Sequence, residues 1–326
     1  MDRRQVLSLL ATSSAAMMAG PTWAKSTYPA QPIRLIIGFP PGGATDVLGR
    51  LIAQHLGTRL NQSIVVENLP GASGMLATNN VAKAKADGYT LLFSSSTHAT
   101  YPALYNKVAF DPVTSFDPLG FIATTPYVLV VHPSLPVKTM DELLEYARKH
   151  PGEINYAGSS PGTAQHLGWE LIKRRAKVDM QYVPYKGTGD LLPDLRAGRL
   201  QAAIDNVAVM RPHIEEGALR AIAVTSKVES PVFPGVPPIS AAGNGLDDFE
   251  AVGWFGLFGP TGLPPEVSHT LSTELAAVMQ MDELKKRFLV LGAQAQDGSP
   301  AALTQMLKRE IQTWTPVIKS AGIKAG

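Results

Sequence analysis

From residue 33 onward, short runs of β-branched and other apolar residues alternate with longer stretches in which apolar side chains recur every three or four positions. That alternation is the pattern of βα crossover units, with strands buried on both faces and helices packed over them. It predicts strands at 33–37, 64–66, 90–93, 128–131, 154–157, 202–204 and 221–224, and helices at 46–60, 76–85, 139–149, 163–175, 189–197 and 208–216. After residue 264 the pattern turns helical throughout, over 265–280, 282–290 and 300–320, which suits a tail that caps one domain. Two apolar runs, 121–131 and 251–258, are flanked by Pro126, Pro133 and Pro260 and are candidates for passages between two lobes. The predicted fold class is therefore α/β, with two lobes that each carry a mostly parallel sheet flanked by helices and with a cleft between them. Residues 28–122 with 254–326 are expected to form lobe 1, and 123–253 lobe 2.

Residues 1–24 follow a different rule. Asp2-Arg3-Arg4-Gln5-Val6-Leu7 precedes an apolar and small-residue stretch, and Thr22-Trp23-Ala24 forms a small-residue cleavage site. This reads as an export signal cut after Ala24, the paired arginines favouring the twin-arginine type over the general secretory one. Thr12, Ser13, Ser14, Gly20 and Pro21 interrupt the run, which argues against a membrane anchor. The expected location is the periplasm. The formal charge of the whole chain is only +2, and without Asp2, Arg3 and Arg4 it falls to +1, so nucleic acid is a poor partner. With 0 cysteines, disulfides, thiolate chemistry and Cys-ligated metals are excluded.

Two predicted strand-to-helix turns carry the candidate chemistry. The first runs from Phe39 through Pro40, Pro41, Gly42, Gly43, Ala44 and Thr45 to Asp46, and Val47, Leu48, Leu51, Ile52 and Leu56 then mark one helical face. The second is Gly158-Ser159-Ser160-Pro161-Gly162-Thr163-Ala164-Gln165-His166, followed by apolar Leu167, Leu171 and Ile172. The first amides of a helix have no intrahelical acceptor and sit at the positive end of its dipole, and glycine lets a ligand approach the backbone closely. Each turn alone could be an ordinary connection with capping residues. Two of them in different lobes point to an anion held between the lobes. A third polar segment, Ser94 to Thr100 with Ser96, Thr97 and His98, follows a predicted strand at the sheet end where α/β proteins bind ligands. Lys186 and Asp205 occupy equivalent places, Asp205 as a partner for an amine or hydroxyl, or as a cap.

Enzyme chemistry finds less support. Gly158 to Gly162 fits the G-x-S-x-G elbow of a serine hydrolase, with Ser160 as nucleophile and Asp205 and His213 downstream. The residue after Ser160 is Pro161, however, which lacks the N–H that an oxyanion hole needs there. No P-loop or complete G-x-G-x-x-G is present, and the 7 histidines show neither H-x-H nor H-E-x-x-H spacing. His166 lies one turn inside the second helix, where orienting the turn and touching a ligand are both open to it.

Several motifs, in order, resemble the extracytoplasmic solute receptors of the tripartite tricarboxylate transporter family, also called Bug receptors. They are Phe39-Pro40-Pro41-Gly42-Gly43 with Asp46, Asn68 to Gly71, Asp87-Gly88-Tyr89-Thr90, Pro133-Ser134-Leu135-Pro136, His166-Leu167, Val183-Pro184-Tyr185-Lys186-Gly187 and Trp254-Phe255-Gly256-Leu257. The resemblance covers nearly all of the chain after the signal. It implies a type II periplasmic-binding-protein fold whose lobes close on a small organic acid, a mono- or dicarboxylate that could be aromatic or an amino acid, and deliver it to membrane permease subunits. It also implies that the turns Phe39 to Asp46 and Ser159 to His166 hold the carboxylate. No cofactor or metal is implied, and a monomer is expected; a sensory receptor feeding a signalling partner would bind in the same way. One departure is Pro237-Pro238-Ile239-Ser240-Ala241-Ala242-Gly243, where the family usually places a glutamate.

Overall fold

The computed structural model describes residues 28–158, 162–185, 188–230 and 233–324; the expected export signal and Ser159, Ser160 and Lys186 lie outside the described residues. Two sheets organise the chain. The first has the order β11-β4-β10-β3-β1-β2, formed by β1 (Ile33–Ile37), β2 (Ile64–Asn68), β3 (Thr90–Ser95), β4 (Phe116–Thr125), β10 (Gly253–Pro260) and β11 (Gln294–Ala295). The second has the order β7-β6-β8-β5-β9, from β5 (Tyr127–Val131), β6 (Asn155–Ala157), β7 (Gln181–Tyr182), β8 (Ala202–Asn206) and β9 (Arg220–Val224).

β1 reads as an almost unbroken apolar run because both of its faces are covered. Ile33, Leu35 and Ile37 pack with Leu48, Ile52 and Leu56 of α1 (Ala44–Leu60), while Ile36 joins Ala77 and Val81 of α2 (Met75–Ala82) on the other side. Arg34 escapes the core and pairs with Glu67 on the neighbouring edge strand at 2.7 Å.

Both sheets are mixed, where mostly parallel pairing was expected. β1 runs parallel to β2 and β3, and β6 to β7 and β8, but β10 is antiparallel to β3 and β4, and β5 to β8 and β9. The antiparallel members are the passages between lobes. β4 ends at Thr125 in the first sheet and β5 begins at Tyr127 in the second, with only Pro126 between them. The return passes from Ala251 into β10, and Gly253 stands opposite Thr125. Thr225 binds both crossings: its Oγ1 accepts from the Tyr127 N–H at 2.9 Å and its carbonyl from the Ala251 N–H at 3.0 Å.

The remaining helices are α3 (Thr97–Leu104), α4 (Met140–Lys149), α5 (Ala164–Ala176), α6 (Thr188–Arg196), α7 (Val207–Glu215), α8 (Pro265–Met279), α9 (Asp282–Val290) and α10 (Pro300–Ser320). Two differ from expectation. α3 lies where a polar loop was read, its Thr- and Ala-containing turns ending shortly after Pro102. α10 does more than cap one domain. Its Leu303 and Leu307 enter the core around Trp254 and Phe258 of the first sheet, whereas Trp314, Val317 and Ile318 enter the core around Trp169 and Leu129 of the second. A single amphipathic stripe thus serves both lobes. The segment lacking the family's usual glutamate forms a short 3-10 turn whose Ile239 is fully buried in the second core. Among the described residues no helix is long and apolar enough to cross a membrane.

Candidate functional site

A cavity of about 490 Å³ lies between the sheets, bounded by the tips of strands and helices from both lobes. Its most informative walls are the two turns, which share one construction. After β1, Gly42 adopts φ +88° and donates its N–H to Asp46 Oδ2 at 3.0 Å; after β6, Gly162 adopts φ +80° and donates its N–H to His166 Nδ1 at 3.0 Å. In each turn the acceptor stands four residues on, inside the helix, and the intervening N-cap, Gly43 or Thr163, is extended. Both glycines use the left-handed region that a Cβ would strain. Each side chain therefore ties a turn back onto its own helix, so that the first-turn amides of α1 and α5 stay at the cavity wall. Gly38 and Gly158, which follow the strands, permit the close approach: an added Cβ at Gly158 would stand 2.7 Å from the Gln165 carbonyl carbon, and one at Gly38 2.6 Å from the Gly74 Cα.

The two latches differ in charge. Burial alone would raise the Asp46 carboxyl, but the Arg50 guanidinium, the Gly42 N–H and the Asn68 amide outweigh it and hold the group at about 2. His166 is lowered to about 4 by burial, is stacked on Tyr182 with ring centroids 4.0 Å apart, and accepts from Gly162 as the neutral ring. Its other nitrogen lies 3.9 Å from Glu170 Oε1.

Of the residues singled out in the sequence, Phe39, Gly43, Ala44, Thr45, Ser96, Thr97, Thr163, Ala164, Gln165 and Asp205 line the cavity. Five do not. Asp46, Gly162 and His166 are spent on the latches just described, so they position the turns and do not form the wall. Ser94 and His98 sit behind it: His98 is fully buried, stacks on Phe258 at 4.7 Å, and places its ring nitrogens 2.9 Å from the Pro112 carbonyl and 3.4 Å from Ser94 Oγ. Burial in that aromatic nest lowers His98 to about 4, which makes it a neutral core histidine.

Asp205, expected to meet an amine or hydroxyl of a ligand, is already engaged. Thr188 Oγ1 donates to both of its oxygens at 2.9 and 2.8 Å, and the Asn206 N–H reaches Oδ1 at 2.6 Å. Burial raises its proton affinity, while the bonds from Asn206, Thr188 and the Gln165 side chain oppose that rise. Asp205 thereby binds together the starts of α5, α6 and α7 on the second-lobe wall. It does not form a hydrolase triad with His213, whose Nδ1 lies instead 2.6 Å from Arg196 Nη1.

The sequence reading missed the apolar part of the lining, made by Val47, Leu48, Val209, Val290 and Leu291, with Trp254, Phe255 and Tyr127 at the crossings. The signal that could have found it is a valine on the outer side of α7 and another at the end of α9, where surface polarity is the rule: Val209 and Val290 are both exposed. No Lys, Arg or His lines the cavity among the described residues, and no group of three or more metal-ligating side chains occurs among them.

Comparison with known proteins agrees with this arrangement. Residues 48–323 match the model of the tripartite tricarboxylate transporter family receptor. Protein BugT of Bordetella pertussis is 35% identical over 300 residues, covering 91% of this chain and 91% of its own. Among solved structures, R. palustris Rpa4515 with adipate is 37% identical with a TM-score of 0.79, covering 91% of this chain and 99% of its own. MatC from Rhodopseudomonas palustris with bound malate is 31% identical with a TM-score of 0.75, covering 89% and 100%. With the same two-lobed fold and a family match that spans most of its length, the chain belongs to the tripartite tricarboxylate transporter receptor family.

Proposed function

We propose that the protein is a periplasmic receptor that closes its lobes on a small carboxylate and presents it to the permease subunits of a tripartite transporter. The observation that carries this reading is the pair of equivalent helix starts, Gly43 to Thr45 and Thr163 to Gln165, lining one cavity from opposite lobes. A hydrogen bond to a charged group contributes about 1.5–3 kcal/mol, so four such bonds supply the ~8 kcal/mol of micromolar binding with no arginine among the described residues of the wall. Relatives solved with adipate and malate support an organic acid as the guest. In this reading lobe 1 comprises 28–122 with 254–326, lobe 2 comprises 123–253, and the crossings at Thr125 to Tyr127 and Ala251 to Gly253 bend as the lobes close. The signal is removed after Ala24 following twin-arginine export, and the mature receptor acts as a monomer. A thermal-shift screen of the mature protein against aliphatic, aromatic and amino acids, their neutral amides, sugars and nucleotides tests the reading. Acids should raise the melting temperature where matched amides do not; stabilisation by sugars or nucleotides with no response to any acid would exclude it.

A further inference from the structure

The amides of the two helix starts are donors, and they account for a carboxylate alone. On one part of the second lobe's lining the polarity is reversed. Asp205 and Thr188 both line the cavity, and Thr188 Oγ1 lies 2.9 and 2.8 Å from the two Asp205 oxygens. A carboxylate carries acceptors and no hydrogen of its own, so the hydroxyl hydrogen of Thr188 is committed to it. Thr188 Oγ1 retains only lone pairs, and a hydroxyl whose hydrogen is held by a charged acceptor accepts more strongly in turn.

The same pair adjoins the second anion turn. Burial raises the proton affinity of Asp205, while the Asn206 N–H, 2.6 Å from Oδ1, the Thr188 hydroxyl and the Gln165 side chain favour its ionised form. Gln165 belongs to the first turn of α5, whose amides stand at the cavity wall. A ligand carboxylate held by those amides brings its nearest carbons beside Thr188 Oγ1 and the Asp205 charge. A methylene there would strip the oxygen of water and give nothing back, whereas a hydroxyl or ammonium group supplies the missing donor.

We propose that the cleft takes carboxylic acids bearing a hydroxyl or ammonium group on one of the two carbons nearest the carboxylate, and that Thr188 is the specificity-determining acceptor for that group. Asp205 acts through Thr188, as a positioning residue. This inference rests on the carboxylate-receptor reading above.

Isothermal titration of two matched sets tests it. The first is butanoate with its α-hydroxy, β-hydroxy, α-amino and α-methyl derivatives; the second is succinate with malate, aspartate and methylsuccinate. In at least one set a hydroxy or amino acid should bind about tenfold or more tightly than the unsubstituted and methyl members, the size of one such hydrogen bond. If no acid, in these sets or in the thermal-shift screen, outdoes its neutral amide, the receptor reading falls and this inference with it. If acids outdo amides but no hydroxy or amino member leads either set, the receptor reading stands and this inference is overturned. Thr188→Val keeps the shape and removes the acceptor, so the preference should largely vanish, while Thr188→Ser should retain it. The melting temperature without ligand checks folding, and Thr188→Ala gives the same readout if the valine variant does not fold. A folded variant without the hydroxyl that keeps the wild-type preference, or a serine variant that loses it, would overturn the assignment to Thr188.

Discussion

Glu310 is the acid whose replacement gives the sharpest test of the core between the lobes. It lies in the middle of α10, 4% exposed, between the stretch that packs on the first sheet and the stretch that packs on the second. Burial raises its carboxyl to about 7 from an ordinary value of 4.5, against the Trp314 Nε1–H, which donates to Oε2 at 2.8 Å. Arg309 lowers its proton affinity but is itself paired with Glu250 at 3.0 Å, and Glu250 raises it. Trp254 Nε1 also faces the carboxyl and lowers its proton affinity, yet falls short of a hydrogen bond and remains without a partner. Between pH 4.5 and 7 the folded chain holds this proton more tightly than the unfolded chain, so the contribution to stability falls as pH rises and levels off above about 7. At about 1.4 kcal/mol for each tenfold change in proton affinity, ionisation costs the folded state about 3 kcal/mol. Glu310→Gln keeps an acceptor for Trp314 and removes the charge. In urea denaturation, Gln should be nearly neutral at pH 4.5 and stabilising by about 3 kcal/mol at pH 8. His98 and His166, both lowered to about 4, bind protons more readily in the unfolded chain and tilt the wild-type profile the other way, so the difference between variant and wild type is the quantity to follow. A difference that does not vary between pH 4.5 and 8, or a Gln variant less stable at pH 8, would refute a carboxyl whose proton affinity is raised by burial.

Two further outcomes follow from the turns. Gly158→Ala drives a Cβ to within 2.8 Å of the Gln165 carbonyl oxygen and the His166 nitrogen, displacing the start of α5; affinity for an acid probe should fall at least tenfold by titration calorimetry while circular dichroism stays near wild type, and unchanged affinity would mean that these amides do not hold the ligand. Asp46→Ala removes the acceptor of Gly42, Asn68 and Arg50 together, and chemical denaturation should register a loss of about 2 kcal/mol along with weaker acid binding; a loss confined to stability would separate the latch from the site.

What the sequence disclosed was local. The strand-helix alternation, the long helices, both passages between lobes and the two turns follow from periodicity, glycine and capping chemistry within a few residues of chain, and the structure has them at or within a few residues of the predicted places. Pairing direction was not legible, because whether β5 runs with or against β8 depends on where the chain crosses, not on the composition of either strand. β7 and β11, two residues each, are too short to carry a period. The apolar stripe of α10 announced burial without saying in which lobe, and it enters both. Asp46 stood among the candidate ligand-binding residues, and His166 was open to orienting its turn or touching a ligand. Their spacing, four residues after a glycine in each turn, is the signal that each side chain ties a glycine N–H back onto its own helix.

That paired construction makes the two jaws unequal toward acid. The aspartate jaw keeps its acceptor until its carboxylate is neutralised near 2, whereas the imidazole jaw forfeits its own near 4, when the ring gains a second N–H and turns from acceptor to donor against Gly162. Acidification toward about 4 would therefore undo the tie of the second turn while that of the first still holds.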